Sequence, residues 1–251
     1  MLSLYGLTAY MLLPLLWTHY EHQKGLAGLP MVTRTAQDIP GDPINVGLIG
    51  SRDEIACAMQ AAGWSRATAI TVRSSIGIAG SVIFRRSYRR APVSNLYYLG
   101  RREDLAYEKL VGTSAGQRHH VRFWEVLPRG AEGRPVWLGD AAFDRGVGIS
   151  HYTGAVTHHI APDIDAERKQ LADDLAAAGM VTAKYQVTGI GPTLIGRNGG
   201  GDRYFTDGEV WILRLVENCR KTTAPVTDIA SPLAIELKDQ LWQTISDQLR
   251  D

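Results

Sequence analysis

Cysteine is scarce: Cys57 and Cys219 are the only two among 251 residues. They lie far apart and show no CxxC or zinc-type spacing, which excludes a disulfide-dense scaffold and a thiolate zinc finger. Read as buried free thiols, they favour a reducing compartment. Charge of one sign is missing too. The chain has 27 basic and 26 acidic residues, a formal net charge of +1. No nucleic-acid partner is expected, because dedicated nucleic-acid binders carry a strongly basic balance. Low-complexity tracts are absent, and 45% hydrophobic with 21% charged residues is a globular composition. Gly47-x-x-Gly50 lacks the third glycine of a dinucleotide fingerprint and the Lys-Ser/Thr of a P-loop, which sets nucleotide binding aside.

Long apolar runs are also few, with one exception at the N-terminus. "MLSLYGLTAYMLLPLLW" runs 17 residues without a charge. A helix needs about 17–25 residues to cross the hydrocarbon core, so this one is marginally long enough. Tyr5, Tyr10 and Trp17 suit an interfacial belt. No positive charge precedes the run and no A-x-A site follows, so it fits a signal peptide poorly. Residues 1–20 are therefore expected to form a hydrophobic segment that anchors the chain to a membrane as a transmembrane helix; the alternative is a helix packed on the domain. Lys24 and Arg34 beyond it point to a cytoplasmic domain. Residues 21–43, with the turn signals "GLAGLP" and "DIPGDP", read as a linker. Residues 44–251 read as the globular domain.

That domain opens with Ile44, Val46 and Leu48 alternating as a strand. Ser51-x-x-Glu54 then forms a capping box, and the helix it starts should end at Ala62, with Gly63 as a left-handed cap. A second strand–helix unit repeats the pattern. "AVTHHI" is the strand, Pro162 and Asp163 start the helix, and Ile164, Arg168, Leu171 and Leu175 share one face. Between and after the units lie short strand-like segments such as "LAYEKL", "RHHVRFWEVL", "PVWLGDAAFD", "TAKYQVTGI" and "GEVWILRLV". "LAIELKDQLWQTISDQ" reads as a final helix. Strands adjacent in sequence and joined by short turns imply an α+β fold: a largely antiparallel sheet, two strand–helix units and a C-terminal helix.

What the chain does have is histidine in one place. Five of its seven histidines, His119, His120, His151, His158 and His159, fall between residues 119 and 159. The strands 118–127 and 136–144 are joined by the turn-rich "PRGAEGRP". Placing Leu127 opposite Val136 would set His119 opposite Asp144 and Phe123 opposite Asp140. Directly opposite Cβ atoms stand about 4.5–5.5 Å apart, so an imidazole and a carboxylate would meet. Alternation puts His120 and Arg122 on the other face, and likewise separates His158 from His159. The functional reading is a site of His119, Asp144, His151 and one of His158 or His159. As a catalytic set it is His119, Asp144, His151 and His159; as a metal set for zinc or manganese it is His119, Asp144, His151 and His158. The competing reading is structural, since strand histidines beside aromatics often pack. Asp163 and Asp165 suit the positive end of a helix dipole.

Arginine is locally dense in "FRRSYRR". Arg85, Arg86 and Arg89, with Arg122, are candidate phosphate-binding residues, because guanidinium groups fork onto phosphate oxygens. Beside an apolar N-terminus such a patch would also suit anionic lipid headgroups. A solvated basic face is the alternative.

From "GDPINVGLIGS" through "APVSNLYYLGRREDLAYEK", "RHHVRFW", "PVWLGDAAFDRGVG" and "THHIAPDIDAER", the sequence resembles the LssY C-terminal domain family over about residues 30 to 220. The resemblance implies bacterial membranes, since members occur joined to PAP2-type phosphatase and DedA-like membrane modules. It carries over no catalytic residue. Two expectations follow. One is a membrane-associated, metal-dependent hydrolase of phosphate esters or lipid phosphates. The other is a non-catalytic accessory module that binds anionic phospholipid or a membrane protein partner.

Overall fold

Strands dominate because β-branched and aromatic residues recur at a period of two, and the same alternation decides which face each residue serves. The computed structural model describes residues 2–7, 11, 25–26, 28–67, 95–112, 117–154, 156–187 and 195–250. The early strands are β1 (Val32–Arg34), β2 (Pro40–Pro43), β3 (Val46–Ile49), β4 (Ser65–Arg66), β5 (Tyr97–Tyr98), β6 (Arg101–Arg102) and β7 (Leu105–Leu110). Two long central strands follow, β8 (Arg118–Leu127) and β9 (Val136–Ile149), then β10 (Val156–Ile160). The last are β11 (Val181–Val187), β12 (Ile195–Arg197), β13 (Arg203–Phe205), β14 (Val210–Leu215) and β15 (Thr227–Asp228). Among the described residues the α-helices are α1 (Leu2–Leu7), α2 (Arg52–Ala61), α3 (Ile164–Ala177) and α4 (Leu233–Arg250).

The main sheet runs β15-β11-β14-β3-β9-β8-β7-β4, with β10 added on β9. Most neighbours are antiparallel, as expected, but β14 lies parallel to β3 and β15 parallel to β11. The sheet is therefore mixed. Two smaller sheets accompany it, β2-β1-β5-β6 and β12-β13. Residues 21–43, read as a linker, thus contribute β1 and β2. Thr33 Oγ1 donates to the Asp42 carbonyl at 2.8 Å inside that pair.

Both strand–helix units form as their caps dictate. Ser51 accepts from the Glu54 amide and Glu54 accepts from the Ser51 amide, closing the capping box. Gly63 follows with φ of 81°. Asp163 caps α3 by accepting from the Ala166 amide at 3.0 Å, whereas Asp165 turns away to accept from the Thr206 hydroxyl and the Asp207 amide. Ile164, Arg168, Leu171 and Leu175 are all buried, as their spacing predicts.

The two faces of the main sheet bury different things. Val121, Phe123, Trp137 and Ala141 join Ile55, Met59, Leu171 and Leu175 under α2 and α3. Trp124, Val136 and Leu138 join Ile44, Leu96 and Tyr98 under the smaller four-stranded sheet. Truncating Trp124 or Trp137, both fully buried, to alanine would cost about 3–5 kcal/mol.

Cys57 and Cys219 are not free thiols. They form a disulfide that ties α2 to the turn Glu217–Cys219, with Cα atoms 6.1 Å apart. Among the described residues no helix is long and apolar enough to cross a membrane. Most of the expected anchor, residues 8–10 and 12–20, lies outside the described residues.

Candidate functional site

The expected hairpin pairing holds only at its closed end. Leu127 does pair with Val136, but Glu125 already pairs with Trp137, so Val126 is an extra residue, a β-bulge. Beyond it every pair moves by one. Arg118 stands opposite Asp144, His119 opposite Phe143, Arg122 opposite Asp140 and Phe123 opposite Gly139. Gly139 is required there, because a Cβ would lie 2.6 Å from the Phe123 ring.

The shift reassigns the chemistry. His119 does not meet Asp144. It faces α3, where its Nδ1 lies 2.8 Å from Glu167 Oε1, beside the rings of Trp64 and Phe143. The residues on the opposite face, Arg118, His120 and Arg122 with Asp140 and Asp144, extend the face carrying Trp124 and Leu138. There the apolar core gives way to a buried polar cluster.

Its contacts are dense. Arg118 donates from Nε to Asp144 Oδ2 at 2.9 Å and from Nη1 to Glu108 Oε2 at 2.8 Å. Arg122 Nη1 lies between two carboxylates, 3.2 Å from Asp42 and 3.1 Å from Asp140. Asn198 Nδ2 donates to the other Asp42 oxygen at 3.1 Å. His120 Nδ1 lies 3.1 Å from Asp144 Oδ1, and its Nε2 is 3.9 Å from Asp42. Yet the contact with Asp144 is off the hydrogen-bond direction: among the described residues, neither His120 nitrogen nor Asp144 Oδ1 has a directed partner. His120 is 2% exposed.

Part of this cluster lines a cavity of about 280 Å³. Asp42, His120, Arg122, Asp144 and His158 contribute charge or imidazole to its wall, and the β1–β2 turn and Asn198–Gly200 close it.

Burial and charge set the protonation states apart. Burial alone would push the His120 imidazole down; the Asp144 carboxylate beside it outweighs this and lifts it to about 9. Burial lowers His158, and Arg118 adds to the effect, taking it to about 4 despite Asp144. Burial pushes the Asp140 carboxyl up to about 7, with Asp42 adding and Arg122 opposing. Asp144 resists burial and is held well below the carboxylate range by His120 and its neighbouring cations. His120 is thus a buried imidazolium, and His158 a neutral imidazole on the same wall.

His151 and His159 do not join this cluster. They gather with Asp202, and the three offer ligand atoms within 4.8 Å of one another. His159 Nδ1 lies 2.7 Å from Asp202 Oδ1. A second trio, Asp42, His120 and Asp140, is equally close, but Arg122 already places a cation between its carboxylates. Arg85, Arg86 and Arg89 lie outside the described residues.

The family model of the LssY C-terminus matches residues 26–210. The chain belongs to that family. The match covers β1 and β2 as well as the central strands, so Asp42 lies within the LssY C-terminal domain. No curated protein and no solved structure matches the chain.

Asp42, Glu108, Arg118, Asn198 and Asp202 carry no role in the sequence reading. One signal was available: cations at 118, 120 and 122 alternate along a strand, as acids at 140 and 144 do along its neighbour. The bulge that brings the two sets together leaves no mark in composition.

Proposed function

We propose that this LssY C-terminal domain hydrolyses phosphate esters by acid–base catalysis in the cavity beneath the smaller four-stranded sheet. The observation that carries the reading is His120: an imidazolium buried on the cavity wall, held by Asp144, with no directed hydrogen bond of its own. Two groups whose environments drive their proton affinities apart are the usual sign of an acid and a base.

In this scheme Arg122 receives the phosphoryl oxygens. Water attacks phosphorus and gives its proton to His158. The ester P–O bond breaks, and the leaving oxygen takes the proton of His120. Asp144 keeps His120 protonated.

Charge narrows the substrate. His120 and Arg122 on the wall are balanced by Asp42 and Asp144, so a singly charged phosphodiester fits better than a dianionic monoester. A volume near 280 Å³ holds the phosphate and the atoms around it, with the rest of the substrate outside. The apolar residues 1–20 and Arg85, Arg86 and Arg89 would set such a domain against anionic lipid, making lipid phosphodiesters one source of substrate.

The test is turnover of a chromogenic phosphodiester and of phospholipid vesicles by wild type, His120→Gln and Arg122→Lys. Loss of about 100-fold or more in His120→Gln supports an acid role. Phosphate binding with no turnover in wild type would overturn it in favour of an accessory module.

A further inference from the structure

The described residues hold a second cluster of ligating side chains that the acid–base scheme does not use. His151 follows β9, His159 lies on β10, and Asp202 ends the turn between β12 and β13. We infer that these three bind a divalent transition metal.

The donor set is two imidazoles and one carboxylate, which suits zinc and its first-row neighbours. Ligand atoms set tetrahedrally about 2.0–2.2 Å from one ion stand ~3.3–3.6 Å apart. His159 Nδ1 and Asp202 Oδ1, hydrogen-bonded at 2.7 Å, need to part by less than ~1 Å when an ion takes the place of the shared proton. All three ligand atoms lie within 4.8 Å of one another, and the remaining adjustment falls to His151, the exposed member of the trio.

The surroundings hold each ligand in place. Asp202 Oδ2 accepts the Ile160 amide at 3.0 Å, which aims Oδ1 at His159. Asn198 Oδ1 accepts the amides of Gly200 and Asp202, at 3.0 and 2.9 Å, and fixes the turn. The His151 amide donates to the Gly200 carbonyl at 3.0 Å. His151 packs so closely on Gly201, where φ is +92°, that a Cβ there would come within 2.7 Å of the His151 Cβ. Gly148 likewise leaves room for the His159 ring. Carboxylate and imidazole ligands held by outer hydrogen bonds are the usual construction of a metal site. With three protein ligands the ion keeps an open position for water or a substrate oxygen.

This site is independent of the acid–base reading and is tested by metal binding alone. Protein purified without chelator is analysed for metal, then titrated with zinc against a chromophoric chelator. Cobalt substitution reports coordination through its visible absorption. One equivalent of zinc per chain is expected. His151→Ala, whose exposed side chain leaves the fold intact, and Asp202→Asn should each weaken binding by ~100-fold or more, since losing even an outer partner costs about 10–100-fold. His119→Gln, which loses only the contact of that imidazole with Glu167, should bind as wild type does. Absence of a stoichiometric site, or unchanged affinity in both His151→Ala and Asp202→Asn, overturns the proposal. Loss of phosphodiester turnover with zinc binding intact would bear only on His120 and its cavity.

Discussion

Arg122 stands directly opposite Asp140 across the β8–β9 ladder, with its Nη1 3.1 Å from the Asp140 carboxylate and 3.2 Å from Asp42. One buried guanidinium therefore neutralises two strands at once. Removing one partner of such a group leaves an uncompensated buried charge, which typically costs about 3–5 kcal/mol. Arg122→Met should lower unfolding stability by that amount in urea titrations at pH 7. A change below ~1 kcal/mol would mean that the carboxylates find other partners.

Stability should also depend on pH through His120. Its folded value, about 9, lies above the ordinary 6.5. The folded state then holds the extra proton between those values, so the stabilisation is complete below pH 6.5 and is lost as pH rises through 9. The shift corresponds to on the order of 3 kcal/mol. His158, lowered to about 4, and Asp140, raised to about 7, act with opposite sign at acidic pH and largely offset. Denaturant unfolding from pH 6 to 10 should show the decline in wild type and a flatter profile in His120→Gln.

Turnover should follow the same two imidazoles. The rate of phosphodiester hydrolysis is expected to fall as pH drops through about 4, where His158 gains a proton, and again as pH rises through about 9, where His120 loses one. His158→Ala should remove the acid limb and His120→Gln the alkaline one. His119→Ala, which breaks a contact with Glu167, should cost stability and leave the profile unchanged.

The tight crossing at Gly139 predicts a steric penalty. A methyl group there meets the Phe123 ring and the Arg122 carbonyl, and overpacking of this kind costs about 1–3 kcal/mol. Gly139→Ala should therefore shift the urea midpoint downward. Deleting Val126 removes only the extra residue, so Glu125 should still pair with Trp137 and Arg118 with Asp144, and unfolding should stay cooperative.

The disulfide between Cys57 and Cys219 closes a separation of 162 residues. Chain-entropy reasoning gives such a link up to ~5 kcal/mol. Cys57→Ala/Cys219→Ala should melt lower than wild type, and thiol titration of unreduced, unfolded wild type should find no free sulfhydryl.

Local signals were readable in the sequence to the extent that they were local. Ser51 with Glu54, Asp163, Gly63 and the Ile164–Leu175 stripe mark helix ends and faces by near-neighbour chemistry, and each is found in place. The alternation of β8 and β9 is equally plain. Pairing across strands is different, because one bulged residue at Val126 exchanges the partners of every residue beyond it. That is why an unbulged pairing sets His119 beside Asp144, where Arg118 stands. Asp42 and Asp202 were invisible for another reason. They approach from loops distant in sequence, and nothing near a "GDP" or "GGGD" turn reveals which carboxylate points inward. The thiols, 162 residues apart, fall under the same limit.

Asn198 belongs to two neighbourhoods: its Nδ2 grips Asp42 in the cavity wall, while its Oδ1 grips the turn that carries Asp202. An ion seated on that turn would stiffen the amide that steadies Asp42, and a ligand filling the cavity would steady the turn in return. Linkage of this kind is reciprocal by necessity. Two chemistries on separate faces of one strand would then be felt by each other through a single side chain.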